Sequence, residues 1–330
     1  METTKSFAGT ITALCIIVLQ FIAICVSAQE RVEVLPFGDF EQWTLRKIKE
    51  SFIIGGKTKT LYMVAPNKMI DGPKYSGSSS PWGTSNAYAK AFGVEKVSVT
   101  VVPSKHNDGR CAKLETKLED VSAVGINFKA LATGSLYTGV LCNPVTLDQS
   151  KDPNSAISMG VPFTKRPKAL LLDYKAQLKV NGQAVFADAG TKVKNVAGSD
   201  KGQIILILQH RWEENGHVYA YRVGTATEYI TQSTADWVDN HRLDIQYSET
   251  PVDNSHPMNQ LQKNSFRTYN SKNKMVPIVE MGYRPDLAPT HLIIQISSGC
   301  MEPFTGCPGN TVWVDNIRLV YDDNSLESAQ

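Results

Sequence analysis

Short runs of β-branched and apolar residues, separated by Gly, Pro, Asn or Ser, constrain this chain more than any other feature. They fall near 31–35, 97–102, 111–117, 124–130, 136–142, 169–180, 203–211, 217–224, 237–247, 276–282, 290–297 and 311–321. KVSVTVV, AVGINFKAL and QIILILQHRW have the composition of strands, and turn residues bound such runs too closely for helices. Glu213-Glu214-Asn215-Gly216 is a polar turn between two of them, which predicts a hairpin over 203–224. Only Trp43 to Ser51, WTLRKIKES, carries a helix-like pattern. Gly/Ser/Pro-rich stretches at 71–86 and 150–167 are expected to be loops. With no internal repeat and no splitting linker, we expect an all-β fold, a jelly-roll type β-sandwich with long loops.

The N-terminus is expected to lie outside that fold. Lys5 precedes an almost wholly apolar run, Phe7 to Val26, and Val26-Ser27-Ala28 is a small-residue cleavage pattern. We read 1–28 as a signal peptide, with a membrane anchor as the alternative. A lipid-bearing Cys25 is disfavoured by Ile24 before it, where a small side chain is wanted. Removal leaves residues 29–330 as a single domain with no transmembrane span, placed as secreted, periplasmic or at the cell surface. The 34 basic and 32 acidic residues nearly balance, without a long basic run, so nucleic acid is not an expected partner.

Cys15 and Cys25 leave with the leader, and Cys111, Cys142, Cys300 and Cys307 remain. An even number in an exported chain permits disulfides, and Cys300 with Cys307 is the expected pair across a loop holding Pro303 and Gly306. Cys111 and Cys142 sit in strand-like runs, where a pair of buried free thiols is an equal alternative.

Catalytic signatures are missing. There is no G-x-S-x-G, H-E-x-x-H, P-loop or C-x-x-C, and the six histidines are scattered. Glu213 and Glu214 are adjacent, so on a strand they face opposite ways, whereas glycosidase carboxylates face each other at about 5–9 Å. A pair assembled from distant loops stays open. We lean towards no catalysis and expect no catalytic cofactor.

Two places stand out. On the last strand, strict alternation puts Thr311, Trp313, Asp315, Ile317, Leu319 and Tyr321 on one face and Val312, Val314, Asn316, Arg318 and Val320 on the other. Asp315 in such a strand costs free energy unless it is paired or binds a metal. Trp82 sits in a Ser/Gly/Pro loop, whereas Trp43, Trp237 and Trp313 alternate with apolar neighbours and are expected in the core. An exposed aromatic ring stacks on a sugar, so Trp82, with Asn86 and Tyr88 beside it, forms the candidate ligand site; the alternative is that Trp82 packs its own loop.

Several strings taken in order resemble a known family. They are Phe37-Gly38-Asp39-Phe40-Glu41-Gln42-Trp43, Pro81-Trp82-Gly83-Thr84-Ser85-Asn86, Gly109 to Thr116, Gly160-Val161-Pro162-Phe163-Thr164-Lys165-Arg166-Pro167, and Leu172-Asp173-Tyr174-Lys175. Ser297-Ser298, Phe304-Thr305-Gly306 and Val314-Asp315-Asn316 complete the set. Together, over about residues 37–322, they resemble the bacterial putative carbohydrate metabolism domain, whose members are secreted or surface β-sandwiches of glycan-using bacteria. One departure is Met301-Glu302, where the family has Gly-Asp. The resemblance implies a carbohydrate partner, poly- or oligosaccharide, in glycan recognition or use. The alternatives are a glycoside hydrolase with loop carboxylates and a non-catalytic surface adhesin or structural module. Likeness to jelly-roll sugar-binding modules further implies a structural Ca²⁺ shared by Glu41 and Asp315, against the alternative that Asp315 accepts backbone N–H groups. In purely structural terms, Gly160 and Pro162 shape a turn, Phe163 fills the core and Arg166 pairs with a buried acid.

Overall fold

The computed structural model describes residues 30–322, apart from 76, 78, 92, 124–125, 147–148, 150–151 and 180–181. The expected signal peptide therefore lies outside the described residues. Among the described residues no helix is long and apolar enough to cross a membrane.

Two sheets pack face to face. The first runs in the order Val238–Asp244, Ala169–Gln177, Thr311–Asp322, Gly109–Glu115, Val101–His106, with Glu30–Val34 also paired to Thr311–Asp322. The second runs Ile157–Met159, Ser135–Leu141, His291–Ser297, Gly202–Glu214, His217–Ile230, Met275–Tyr283, Arg267–Tyr269. Between residues 169 and 322 the chain crosses repeatedly from one sheet to the other. Leu170, Leu172, Val312, Val314, Ile317 and Leu319 of the first sheet meet Ile204, Leu206, Leu208, Leu292, Ile294 and Ile296 of the second in one buried cluster. The all-β sandwich is as the strand pattern predicts.

Ile204 to Leu208, IILIL, is apolar throughout because its strand is buried on both faces. Ile204, Leu206 and Leu208 face the sandwich interior, and Ile205 and Ile207 face a second cluster with Tyr137, Val218, Ile278 and Ile293. The predicted hairpin forms, with Glu214 opposite His217. Its turn uses Asn215 and Gly216 at φ 53° and 82°, the left-handed conformations a tight two-residue hairpin loop demands.

The last strand departs from strict alternation. On it, Asp315 pairs with Asp173 and Arg318 with Leu171, so one extra residue is accommodated where Asn316 takes φ 51°. This bulge shifts the inward phase. Val312 and Val314 point into the core before it, and Ile317, Leu319 and Tyr321 after it.

The helix-like segment 43–51 is a strand, Trp43–Lys49. It pairs antiparallel with Thr58–Val64 and parallel with Lys68–Asp71. Propensity yields here to tertiary pairing, because Thr44, Arg46 and Ile48 alternate into the interior. Ile48, Leu61, Tyr88 and Val97 form a small core between this sheet and the hairpin Ala87–Ala91/Val94–Ser98. The supposed loops at 71–86 and 150–167 also contribute strands, Trp82–Thr84, Ile157–Met159 and Val161–Pro162.

The G-V-P-F-T-K-R-P string straps the second sheet. Val161 and Pro162 pair with Leu292 and His291, and Phe163 packs on the main core. Gly160 has φ 86°, and a Cβ there would meet a terminal guanidinium nitrogen of Arg211 at 2.5 Å. Among the described residues Arg166 has no buried acid as partner. It donates to the Leu287 carbonyl at 2.9 Å and lies 4.3 Å from the Tyr247 ring centroid.

Candidate functional site

Trp82 is not an exposed platform. It is 5% exposed, its ring lies 5.8 Å from that of Phe40, and its indole N–H donates to the Pro36 carbonyl at 2.9 Å. The short strand it opens pairs with Ser135–Leu141, which draws the ring under the sandwich edge. Asn86 is equally committed. Its amide donates to the Tyr62 and Val101 carbonyls and its oxygen accepts from the Thr100 and Val101 N–H groups. These two residues tie the small sheet to the sandwich and present nothing to a ligand.

Tyr88 does border open space. A cleft of about 930 Å³ lies between the edge of the small sheet, the hairpin that carries Tyr88 and the turn at Asn143-Pro144. Thr44, Asn67, Lys68, Met69, Tyr75, Tyr88, Lys90 and Asn143 are among its walls. Tyr88 is itself buried and forms the floor. Burial, and then the Glu95 carboxylate, push its phenol above the usual tyrosine range, so it stays a neutral hydroxyl. Lys68, Met69 and Lys90 are exposed on the walls, and Tyr75 is half-buried. Among the described residues no Asp or Glu lines the cleft.

Behind the Tyr75 wall sits Arg46, fully buried. It donates to the Pro73 carbonyl, and its guanidinium lies 5.4 Å from the Tyr75 ring centroid. Its Nε has no hydrogen-bond partner among the described residues. Sequence reasoning missed the cleft, although the Lys68 to Tyr75 stretch, which opens with the small-sheet strand Lys68–Asp71, carries two lysines and a tyrosine of its lining.

The carboxylates of Glu41 and Asp315, expected to share a calcium, both have protein partners. The Asp315 carboxylate is 2.6 Å from His106 Nδ1 and accepts the Asn316 N–H at 2.7 Å, while Glu41 accepts the Arg110 N–H at 2.8 Å. Calcium takes oxygen ligands, and here an imidazole and backbone N–H groups occupy the carboxylates. No group of three or more His, Cys, Asp and Glu among the described residues could hold a metal ion. The neighbouring Asp173 accepts from the Asn240 N–H, the Asn316 amide and Arg318. Trp237 stacks on His106 at 3.7 Å between centroids, closing this cluster from outside. Burial raises the Asp315 pKa, against the His106 hydrogen bond that lowers it.

Cys300 and Cys307 are free in the structure, as are Cys111 and Cys142. The expected disulfide is not formed. Asp200 does the loop-closing work instead: one carboxylate oxygen accepts from the N–H groups of Lys201, Cys300 and Met301. Cys307 Sγ turns the other way, towards the Asp200 N–H and the Gly182 carbonyl. Burial pushes the Cys111 thiol up to about 12 and the Cys300 thiol up to about 11, so both stay protonated.

A second buried polar cluster continues the outer face of the large sheet. Arg222 and Glu280 form a two-pronged pair at 2.8 and 2.6 Å across the parallel strands His217–Ile230 and Met275–Tyr283. Glu280 also accepts from Gln209 and from the Gln262 N–H, and Arg222 donates to the Met258 carbonyl. Every strong acceptor is used, which makes it a clamp on the 257–262 loop.

The chain matches the family described as the putative carbohydrate metabolism domain over residues 39–320. It belongs to that family. Among solved structures it is similar to a putative glycoside hydrolase from Bacteroides thetaiotaomicron VPI-5482, at 16% identity and a TM-score of 0.48, covering 84% of this chain and 71% of that one. It is also similar to a putative glycoside hydrolase from Bacteroides vulgatus ATCC 8482, at 14% identity and a TM-score of 0.40, covering 88% of this chain and 94% of that one. No curated protein matches. Family membership gives the chain a carbohydrate-related role.

Proposed function

We propose that this chain is an exported, single-domain carbohydrate-binding β-sandwich that holds a saccharide in the cleft over Tyr88. The lining of that cleft carries the proposal. Tyr75 offers an aromatic wall, Met69 an apolar contact, and Asn67 and the lysines offer hydroxyl-bonding groups in one concave surface. Sugars are held by that combination of ring contact and convergent polar groups. The absence of Asp and Glu from the described lining favours binding over hydrolysis at this place. Elsewhere, Asp173 and Asp315 stand opposite each other in register but are 6% and 5% exposed and fully engaged. The leader-like residues 1–28 support export, which would bring the domain to extracellular glycan.

Residues 29–330 should be retained on at least one immobilised polysaccharide while releasing no reducing sugar from it. Tyr75→Ala should weaken that retention roughly three- to tenfold, from the loss of one aromatic contact. Release of reducing ends would replace this reading with a hydrolase. Absence of retention on a broad glycan panel would leave a structural or adhesive module.

A further inference from the structure

We infer that the cleft over Tyr88 selects a saccharide carrying negative charge, a carboxylate or a sulfate ester; this deepens, and rests on, the carbohydrate-binding reading. Three observations carry it. The first is the charge of the walls. Lys68, Lys74 and Lys90 line the cleft, and no carboxylate among the described residues does. Lys90 reaches Glu95 at 3.1 Å, outside the lining. Lys68 and Lys74 are exposed and have no carboxylate partner among the described residues.

The second is the charge beneath the walls. Arg46 is 0% exposed, yet its partners are the Pro73 carbonyl, the Met63 sulfur and the Tyr75 ring. No carboxylate among the described residues neutralises it. A buried guanidinium without a counter-charge is expensive, and burial lowers its pKa accordingly. The Arg222 guanidinium shows the contrast, since it is equally buried and carries Glu280 in full contact.

The third is placement. Arg46 lies directly behind Tyr75 and Pro73, which are themselves cleft walls. Its unbalanced charge adds to that of Lys68 and Lys74 on the open side. Low-dielectric walls focus such a field into a concavity. A neutral sugar gains nothing from this. A uronate or sulfated sugar supplies the missing counter-charge, while its apolar ring face meets Tyr75 and Met69. Lysine suits the task as a mobile point charge able to follow an anionic group on a flexible chain.

The experiment compares three oligosaccharides of equal length on residues 29–330 by calorimetry: a neutral galactan tetrasaccharide, a galacturonan tetrasaccharide and a carrageenan tetrasaccharide. The double variant Lys68→Glu/Lys74→Glu is measured alongside, both positions being exposed and outside the packed cores. An anionic tetrasaccharide should bind more tightly than the neutral one. The double reversal should weaken it by roughly tenfold, two exposed ion pairs together. Raising salt from about 50 to about 300 mM should weaken it further. Preference for galacturonan assigns the carboxylate, and preference for carrageenan the sulfate. Neutral galactan bound as tightly as the others, or anionic binding unchanged by the reversal, overturns the charge selectivity and leaves the carbohydrate-binding reading standing. If none of the three binds, and a broad glycan panel is also negative, the carbohydrate-binding reading fails and the charge inference fails with it.

Discussion

Replacing Trp82 distinguishes a packing residue from a sugar platform. The ring is 5% exposed, packs on Phe40 in the main core cluster and satisfies the Pro36 carbonyl through its indole N–H. Trp82→Ala removes a large buried side chain at the junction between sandwich and small sheet, and truncations of this kind cost about 3–5 kcal/mol. It also strands a carbonyl whose unmet hydrogen bond costs about 1–3 kcal/mol, part of which water entering the cavity restores. Against a total stability of about 5–15 kcal/mol, the variant should stand near the edge of folding. Trp82→Phe keeps most of the volume and loses the donor, so it should cost about 1–3 kcal/mol. Urea unfolding followed by circular dichroism gives both numbers, provided the slope with denaturant is unchanged. Glycan retention per folded molecule should be unaltered in Trp82→Phe. A Trp82→Ala protein that unfolds at the wild-type urea concentration but no longer binds glycan would refute the burial argument.

Two further outcomes follow from the buried polar groups. Arg222→Ala leaves Glu280 buried without its cation and should cost about 3–5 kcal/mol in urea unfolding, while the double change Arg222→Met/Glu280→Leu should recover most of that loss; equal stability of the single variant and wild type would mean the clamp is solvated. Burial, reinforced by the charge of Arg211, lowers the His291 pKa from 6.5 to about 4. The unfolded chain therefore takes up this proton first, and the stability that neutral His291 carries above pH 6.5 drains away as pH falls towards 4. Thermal melting across that range should fall less steeply for His291→Gln, and parallel pH profiles for the two proteins would exclude His291 as the source.

The sheet-level architecture was legible because strand burial writes itself into composition. The IILIL run, Ile204 to Leu208, lies between two cores and is apolar at every position, and the Asn-Gly turn admits little but a tight hairpin. What the sequence hid were features that depend on partners far along the chain. WTLRKIKES has helix-like spacing, and only its pairing with 58–64 and 68–71 makes it a strand. The alternation through 311–321 reads as regular until Asp173, more than a hundred residues earlier, takes Asp315 as its partner and forces the bulge.

Local context places Trp43 correctly, in the core at 1% exposure, and misplaces three other tryptophans for the same reason. Local context marks Trp82 as a loop residue and Trp237 and Trp313 as core, yet the chain buries Trp82 and leaves the other two partly exposed. A tryptophan in a Gly/Ser/Pro stretch has no nearby apolar neighbours, but a short strand can carry it to distant ones. Trp82–Thr84 is such a strand, and Tyr137, Phe40 and Pro36 are what it reaches. The cleft escapes sequence reading on the same logic. Its cation beneath comes from the strand Trp43–Lys49, its floor from Tyr88 on the strand Ala87–Ala91, and its walls from 66–70, 73–75, 77, 79 and 143–144. Each lysine alone reads as an ordinary solvated charge. The anion preference we propose rests on their convergence above Arg46, which no carboxylate among the described residues balances, and that convergence exists in the fold and nowhere in the order of the residues.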